Sequence, residues 1–332
     1  MAYLRLLVCV LLIIPFSGCR PAGEQSSLMV INFQQGKTLK YKLVSSREAT
    51  INLAGSSAKA AKSGTSQTQK MSETLELVIE YTPIKVDPFG LTTIQAKCLS
   101  VNVRRSNFSG KTESDDAMNH LRDKTYTLQL SPTGKIADFT QLHNLLREIG
   151  QQAFVSGNPE GARIKNPDMI SDFTTLQWYL WDTCSTLTDP LEGLAPGKTW
   201  QTKQFIPWPA PISNPPARLT TFRLDKIEQQ ENKQVAFISA DYALTSIPLE
   251  QFPAPYEGRF RLKSTFGFLQ NYQFQSIRGK GVQLYDLNSG IILSDQQQYT
   301  LVVSADFLLP LGDSKPAMTV EQTLSVQLLT SP

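Results

Sequence analysis

The sequence predicts a mainly β (α+β) protein of curved antiparallel sheets with two helices in the middle of the chain. Three observations carry that prediction. Apolar residues alternate with period two in run after run from Leu39 to Leu328. The period changes to three and four only between Leu142 and Trp181. Turns containing Gly, Pro, Asn or Ser separate the alternating runs. A chain of 332 residues, 41% hydrophobic and 18% charged, can bury a sizeable core as two domains or one large all-β unit.

Residues 1–18 read as a secretory signal peptide. Arg5 supplies the positive start and Leu6 to Ile14 is an unbroken apolar run. The uncharged stretch from Leu6 to Gly18 is 13 residues long. A spanning helix needs ~18 or more. Phe16-Ser17-Gly18-Cys19 follows, two small residues before a cysteine. These residues resemble the lipobox of bacterial lipoproteins, with Phe16 where that family usually has Leu or Val. The resemblance implies that the signal is cut before Cys19, that Cys19 receives a diacylglycerol thioether, and that its new amine takes a further acyl chain such as palmitate. Several acyl chains, at ~0.8 kcal/mol per buried CH₂, anchor a domain on a membrane. Arg20 rather than Asp follows the cysteine. In envelopes with two membranes this resembles the outer-membrane sorting pattern. The expected location is therefore the cell envelope, lipid-anchored and periplasm-facing, with the outer membrane favoured.

Residues 19–27 form the lipidated tether. An N-terminal β-module spans 28–185. Leu39-Lys40-Tyr41-Lys42-Leu43 and Leu75, Leu77, Ile79 and Tyr81 alternate as strands. Residues 55–69, rich in Ser, Ala, Lys and Gly, read as a long hairpin tip or an insertion. The apolar parity shifts between Cys98 and Leu99, which predicts a bulge or a strand covered on both faces. Ser131-Pro132-Thr133-Gly134 turns the chain. Leu142, Leu145, Leu146 and Ile149 then have helical spacing, and Met169, Phe173, Leu176, Leu180 and Trp181 give a second helix over about 168–182.

Residues 186–217 read as a proline-rich connector, with Pro207, Pro209, Pro211, Pro215 and Pro216 excluding a central strand near its end. The C-terminal β-module, 218–332, is nearly all strand, with a turn at Asn288-Ser289-Gly290. Gly36-Lys37-Thr38-Leu39 opens the first strand set and Gly197-Lys198-Thr199-Trp200 the second. The echo allows two related half-barrel modules; it is equally a common way to leave a turn and enter a strand.

Composition narrows the function. The formal net charge of +3, from 32 basic and 29 acidic residues, argues against a nucleic-acid partner. His120 and His143, the two histidines, stand in different settings without metal-ligand spacing, so no metal is expected. Gly193-Leu194-Ala195-Pro196-Gly197-Lys198-Thr199 has three residues between its glycines where a phosphate loop needs four. No Gly-x-Ser-x-Gly elbow is present. Asp115, Asp116 and Asp123 read as a solvated loop. No constellation meets the geometry of an active site, so neither catalysis nor a cofactor is expected. Cys98 and Cys184 are either a disulfide tying the halves together or two buried thiols.

All four tryptophans, Trp178, Trp181, Trp200 and Trp208, fall in the middle of the chain. With Phe266 and Phe268 they either pack helices on sheet or line a groove for an apolar ligand. The pattern resembles the periplasmic lipoprotein-carrier superfamily, a curved sheet with helices across its mouth. Gly36-Lys37-Thr38-Leu39-Lys40-Tyr41 and Gly134-Lys135-Ile136-Ala137-Asp138-Phe139 are similar to phrases in envelope lipoproteins of that curved-sheet type. The resemblance implies a non-catalytic module that holds a lipid or acyl chain in a sheet–helix groove. The alternative is a structural or assembly protein that meets an envelope protein through a sheet edge or the proline-rich segment.

Overall fold

The computed structural model describes residues 29–52, 68–106, 110–152, 162–164, 168–185, 194–208, 216–230, 232–246, 260–262, 269–307 and 315–330. Twelve strands form one curved, unclosed sheet. The chain starts at the middle of that sheet and moves outward through β1 (Leu39–Asn52), β2 (Thr68–Val86), β3 (Thr92–Ser106), β5 (Thr125–Leu130) and β6 (Ile136–Asp138), with β4 (Thr112–Glu113) beside β3. Helix α1 (Thr140–Gln151), the short β7 (Ala162–Ile164) and helix α2 (Ile170–Ser185) then carry it to the far edge. It returns inward through β8 (Thr199–Phe205), β9 (Ala217–Gln230), β10 (Lys233–Thr245), β12 (Leu269–Asp286), β13 (Ile291–Phe307) and β14 (Ala317–Thr330). β11 (Phe260–Leu262) pairs in parallel with β7 in a separate two-stranded ribbon.

The two strand sets are joined rather than separate half-barrels. β1 and β14 pair antiparallel from Lys40↔Thr330 to Asn52↔Ala317, so the sheet runs unbroken through its centre. The stretch read as connector contains an edge strand, β8, paired with β9 from Thr199↔Arg223 to Phe205↔Ala217. Its alternation is short and sits just before the proline run, which hid it. The predicted hairpin tip at 55–69 lies mostly outside the described residues.

Alternation decides which face is buried. In β1 the odd positions from Leu39 to Ile51 are buried and the even positions face outward. The parity shift in β3 is a bulge: Val78 pairs with Ser100 and Ile79 with Cys98, leaving Leu99 as the extra residue. The turn ending in Gly290 is forced open for packing. Gly290 has φ +70°, and a Cβ there would strike the carbonyl of Val30.

The concave face wraps around α2. This helix packs against the central strands β1 and β14 and against both edge strands, β6 and β8. The sequence predicted one apolar face; in the structure every residue from Asp172 to Gln177 is buried, polar side chains included. Over these six positions the curled sheet leaves no solvent face: Asp172 and Gln177 take partners on the wall, and Thr174 Oγ1 donates back to the carbonyl of Ile170 at 2.8 Å.

The two ends of the barrel differ. At one end lie the tight turns at Asp87–Leu91, Ser131–Lys135 and Leu287–Gly290, and the N-terminal segment from Met29 crosses them. Ile31 donates its N–H to the carbonyl of Pro132 at 3.2 Å, and Asn32 donates to Ser289 at 3.0 Å. That segment therefore ties the turns of the two strand sets together.

Candidate functional site

The strongest concentration of chemistry is on the concave face, where strand walls meet α2. Arg47, Glu73 and Arg105 stand in one cross-strand row, since Arg47 pairs with Glu73 and Glu73 with Arg105 in the sheet register. Arg47 Nε donates to Glu73 Oε2 at 2.5 Å, and Arg105 Nε donates to Glu73 Oε1 at 2.6 Å. Each arginine also reaches an aspartate off the row: Arg47 Nη1 to Asp172 Oδ2 at 2.8 Å, and Arg105 Nη2 to Asp116 Oδ2 at 2.6 Å. Asp172 is the contribution of α2. It accepts a further bond from Ser45 Oγ at 2.5 Å, and Gln322 Nε2 donates in turn to Ser45 Oγ at 2.7 Å.

Burial governs the electrostatics of this network. Burial alone would raise Glu73, but the guanidinium groups of Arg47 and Arg105 overcome it and hold the carboxyl below its usual range. Asp172 and Asp116 are raised by burial, which outweighs the pull of Arg47 and Arg105 respectively. Asp168, whose Oδ1 accepts the N–H of Ile170 at the start of α2, is pushed up to about 8 by burial and by nearby Asp116.

Further along α2 the partners are neutral. Tyr81 and Tyr126 both donate to Gln177 Oε1, at 2.7 and 2.8 Å. Tyr179 donates to the carbonyl of Phe205 on the far edge strand. Next to it Arg218 is completely buried, with its guanidinium carbon 3.9 Å from the ring centre of Tyr242 and 4.6 Å from that of Tyr179. Arg218 Nη2 donates to Gln204 Oε1 at 2.9 Å and to Gln297 Oε1 at 2.5 Å. Gln297 Nε2 donates onward to Asp295 Oδ2 at 2.6 Å, and burial pushes Asp295 up to about 6. Gly281 makes room for this cage, because a Cβ there would meet the hydroxyl of Tyr242.

The predicted groove residues are distributed along the barrel. Trp181 packs edge-on to Tyr81 at 5.4 Å and to Phe33 at 5.8 Å; Trp178 meets Phe139 at 5.5 Å. Trp200 stacks on Phe222 at 5.4 Å, and Trp208 meets Tyr272 and Phe274 at 5.6 and 5.1 Å. Among the described residues no ring contact joins these groups. Phe266 and Phe268 lie outside the described residues, as does Cys19. Cys98 is a free, buried thiol, and the side chain of Cys184 is outside the described residues. Burial pushes the Cys98 thiol up to about 12, so it is a poor nucleophile.

Asp116 corrects the reading of its segment as a solvated loop. It is buried, caps the short 3-10 turn Ala117–Leu121 through the N–H of Met118, and joins the arginine network. Arg47, Glu73 and Arg105 were not singled out in the sequence, although a signal existed. Each is in phase with inward apolar residues: Arg47 with Leu43 and Ala49, Glu73 with Met71 and Leu75, Arg105 with Val101 and Val103. Among the described residues no group of three or more His, Cys, Asp or Glu is arranged to hold a metal ion. The network is buried and ties α2 to the strands through Arg47 and Asp172.

No family model matches the chain, and no curated protein matches it. A solved structure described for the lipid–protein interactions in lipovitellin is similar over 91% of this chain, with 11% identity and a TM-score of 0.39. The match covers 26% of that chain, so this protein spans about a quarter of its length.

Proposed function

We propose that the protein is a membrane-anchored, non-catalytic envelope lipoprotein whose half-barrel takes a lipid or acyl chain, and that α2 occupies the ligand's groove in the ligand-free form. The observation that carries this reading is α2 itself, buried at every position from Asp172 to Gln177 within a curved sheet whose edge strands do not pair with each other. Polar contacts run along the helix from Asp172 to Tyr179. The contacts of Gln177 and Tyr179 are neutral and exchange for water at a net cost of ~0.5–1.5 kcal/mol each, so the buried Arg47–Asp172 ion pair is the main polar hold that a ligand must release. The wall it would uncover presents Leu43, Leu75, Leu77 and Ile79, an apolar lining suited to an acyl chain. The described ends of the proline-rich segment, Ile206, Trp208 and Pro216, are buried. That favours the groove over the alternative of a protein partner at this segment.

The test is a titration of the purified protein with a fluorescent fatty acid. Saturable binding is expected, and Asp172→Asn, which weakens the hold of Arg47 on α2, should lower the apparent Kd by raising the fraction with an open groove. Absence of saturable binding in both proteins would refute the reading.

A further inference from the structure

We propose that the tight-turn end of the barrel is a docking face for a phospholipid bilayer, with Phe89 as its inserting residue; this rests on the tether in the reading above. Phe89 is 88% exposed at the tip of the turn after β2. Ile84, the extra residue of a bulge in β2, Val86 at the last position of β2, and Val30 in the N-terminal segment are exposed at the same end. Single exposed apolar residues are ordinary, but a cluster led by an almost fully exposed phenylalanine marks an interaction surface.

The turn presents Phe89 rigidly. Asp87 Oδ1 accepts the N–H groups of Phe89 and Leu91, both at 2.8 Å, and Gly90 donates to the carbonyl of Asp87 at 3.0 Å. Pro132 packs directly on Gly90, and Gln35 Nε2 donates to the carbonyl of Ile84 at 3.0 Å. The aromatic ring is therefore held outward on a braced corner. Lys37, Lys85 and Lys135 are exposed around it, and among the described residues none of them pairs with a carboxylate. An aromatic tip with aliphatic flanks and a rim of lysines fits the headgroup layer of an anionic bilayer.

The course of the chain selects a bilayer as the occupant. Met29 emerges at this end, ten residues after Cys19. Ten residues span at most ~35 Å, so an acylated Cys19 keeps this end of the barrel near the lipid surface. The opposite end carries the ends of β1, β3 and β13 and lies a strand length further away.

The experiment uses the full chain reconstituted in vesicles of phosphatidylethanolamine and phosphatidylglycerol. A polarity-sensitive dye is attached at Phe89→Cys or, at the far end, at Gln273→Cys, with the unsubstituted chain as labelling blank. A blue shift and quenching by bilayer-embedded quenchers at position 89, with neither at 273, is the expected result. The mass of the N-terminal peptide reads acylation of Cys19 separately. An acylated chain whose position-89 dye stays in water overturns the docking face and leaves the tether standing. An unacylated chain overturns the tether, and quenching at position 89 on adding vesicles would still support the face. A blue shift that grows with protein concentration before vesicles are added assigns the face to a second copy of the chain and overturns the proposal.

Discussion

Arg47 and Arg218 are both buried on the concave face, 2% and 0% exposed, yet they are held in opposite ways. Arg47 shares Glu73 with Arg105 and adds Asp172 from α2, so its charge is met by carboxylates. Among the described residues Arg218 forms no salt bridge; two glutamine carbonyls and the faces of tyrosines surround it, and Gln297 relays it to Asp295. The difference lies in what each arginine attaches. Arg47 fastens α2 to the N-terminal strands by charge. Gln204, Gln297 and Tyr242, on the strands, hold Arg218, and Tyr179 is the side chain that α2 brings to the cage. Displacing α2 therefore breaks an ion network on one side and largely spares the cage on the other.

That contrast is open to direct attack. Arg47→Met leaves Glu73 half paired and Asp172 with a hydroxyl alone, and removing one partner of a buried network costs ~3–5 kcal/mol. Denaturant unfolding should show a loss of that size, with near-native far-UV dichroism at zero denaturant. Arg218→Met strands no carboxylate. It loses cation–π and amide contacts but also a desolvated charge, so the expected loss is ~1 kcal/mol. Equal losses for the two variants would erase the distinction between the halves.

A third test reads the pH dependence of stability. Asp168 titrates in the folded protein at about 8 and near 4 when unfolded. Between those values the folded state holds the extra proton, so stability is full below pH ~4 and is lost as pH rises towards 8. Asp295, at about 6, adds a loss of the same sign over a narrower window. Glu73, lowered in the fold, works the other way: its contribution is present above its unfolded value and is lost as pH falls through the lowered one. The Tm should therefore fall from mildly acidic to mildly alkaline pH. Asp168→Asn, which keeps the acceptor for Ile170, should flatten that slope, and an unchanged slope would remove Asp168 from the account.

The strands, the bulge at Leu99 and the turns at Gly134 and Gly290 were legible because each is written within a dozen residues of sequence. The join of β1 to β14 was not, since its partners Ser45 and Leu324 are separated by nearly the whole chain. Asp116 was misread because Glu113, Ser114 and Asp115 before it are polar, while the inward phase of its partner Arg105, only 11 residues away, was not used. The inward phase of Arg47, Glu73 and Arg105 was readable in principle, because a charge in step with buried apolar residues needs a counter-charge on the same face. The enclosure of α2 had no local signal. Its apolar stripe is that of a half-buried helix, and the sheet's curl decides the rest.

The central claim is that α2 is a removable occupant of the groove. Amide hydrogen exchange, with and without a bound fatty acid, tests it most directly. The account predicts that α2 exchanges faster in the presence of the fatty acid while β1 and β14 keep their protection. Protection of α2 that equals that of β1 and β14 and does not change with fatty acid would contradict it.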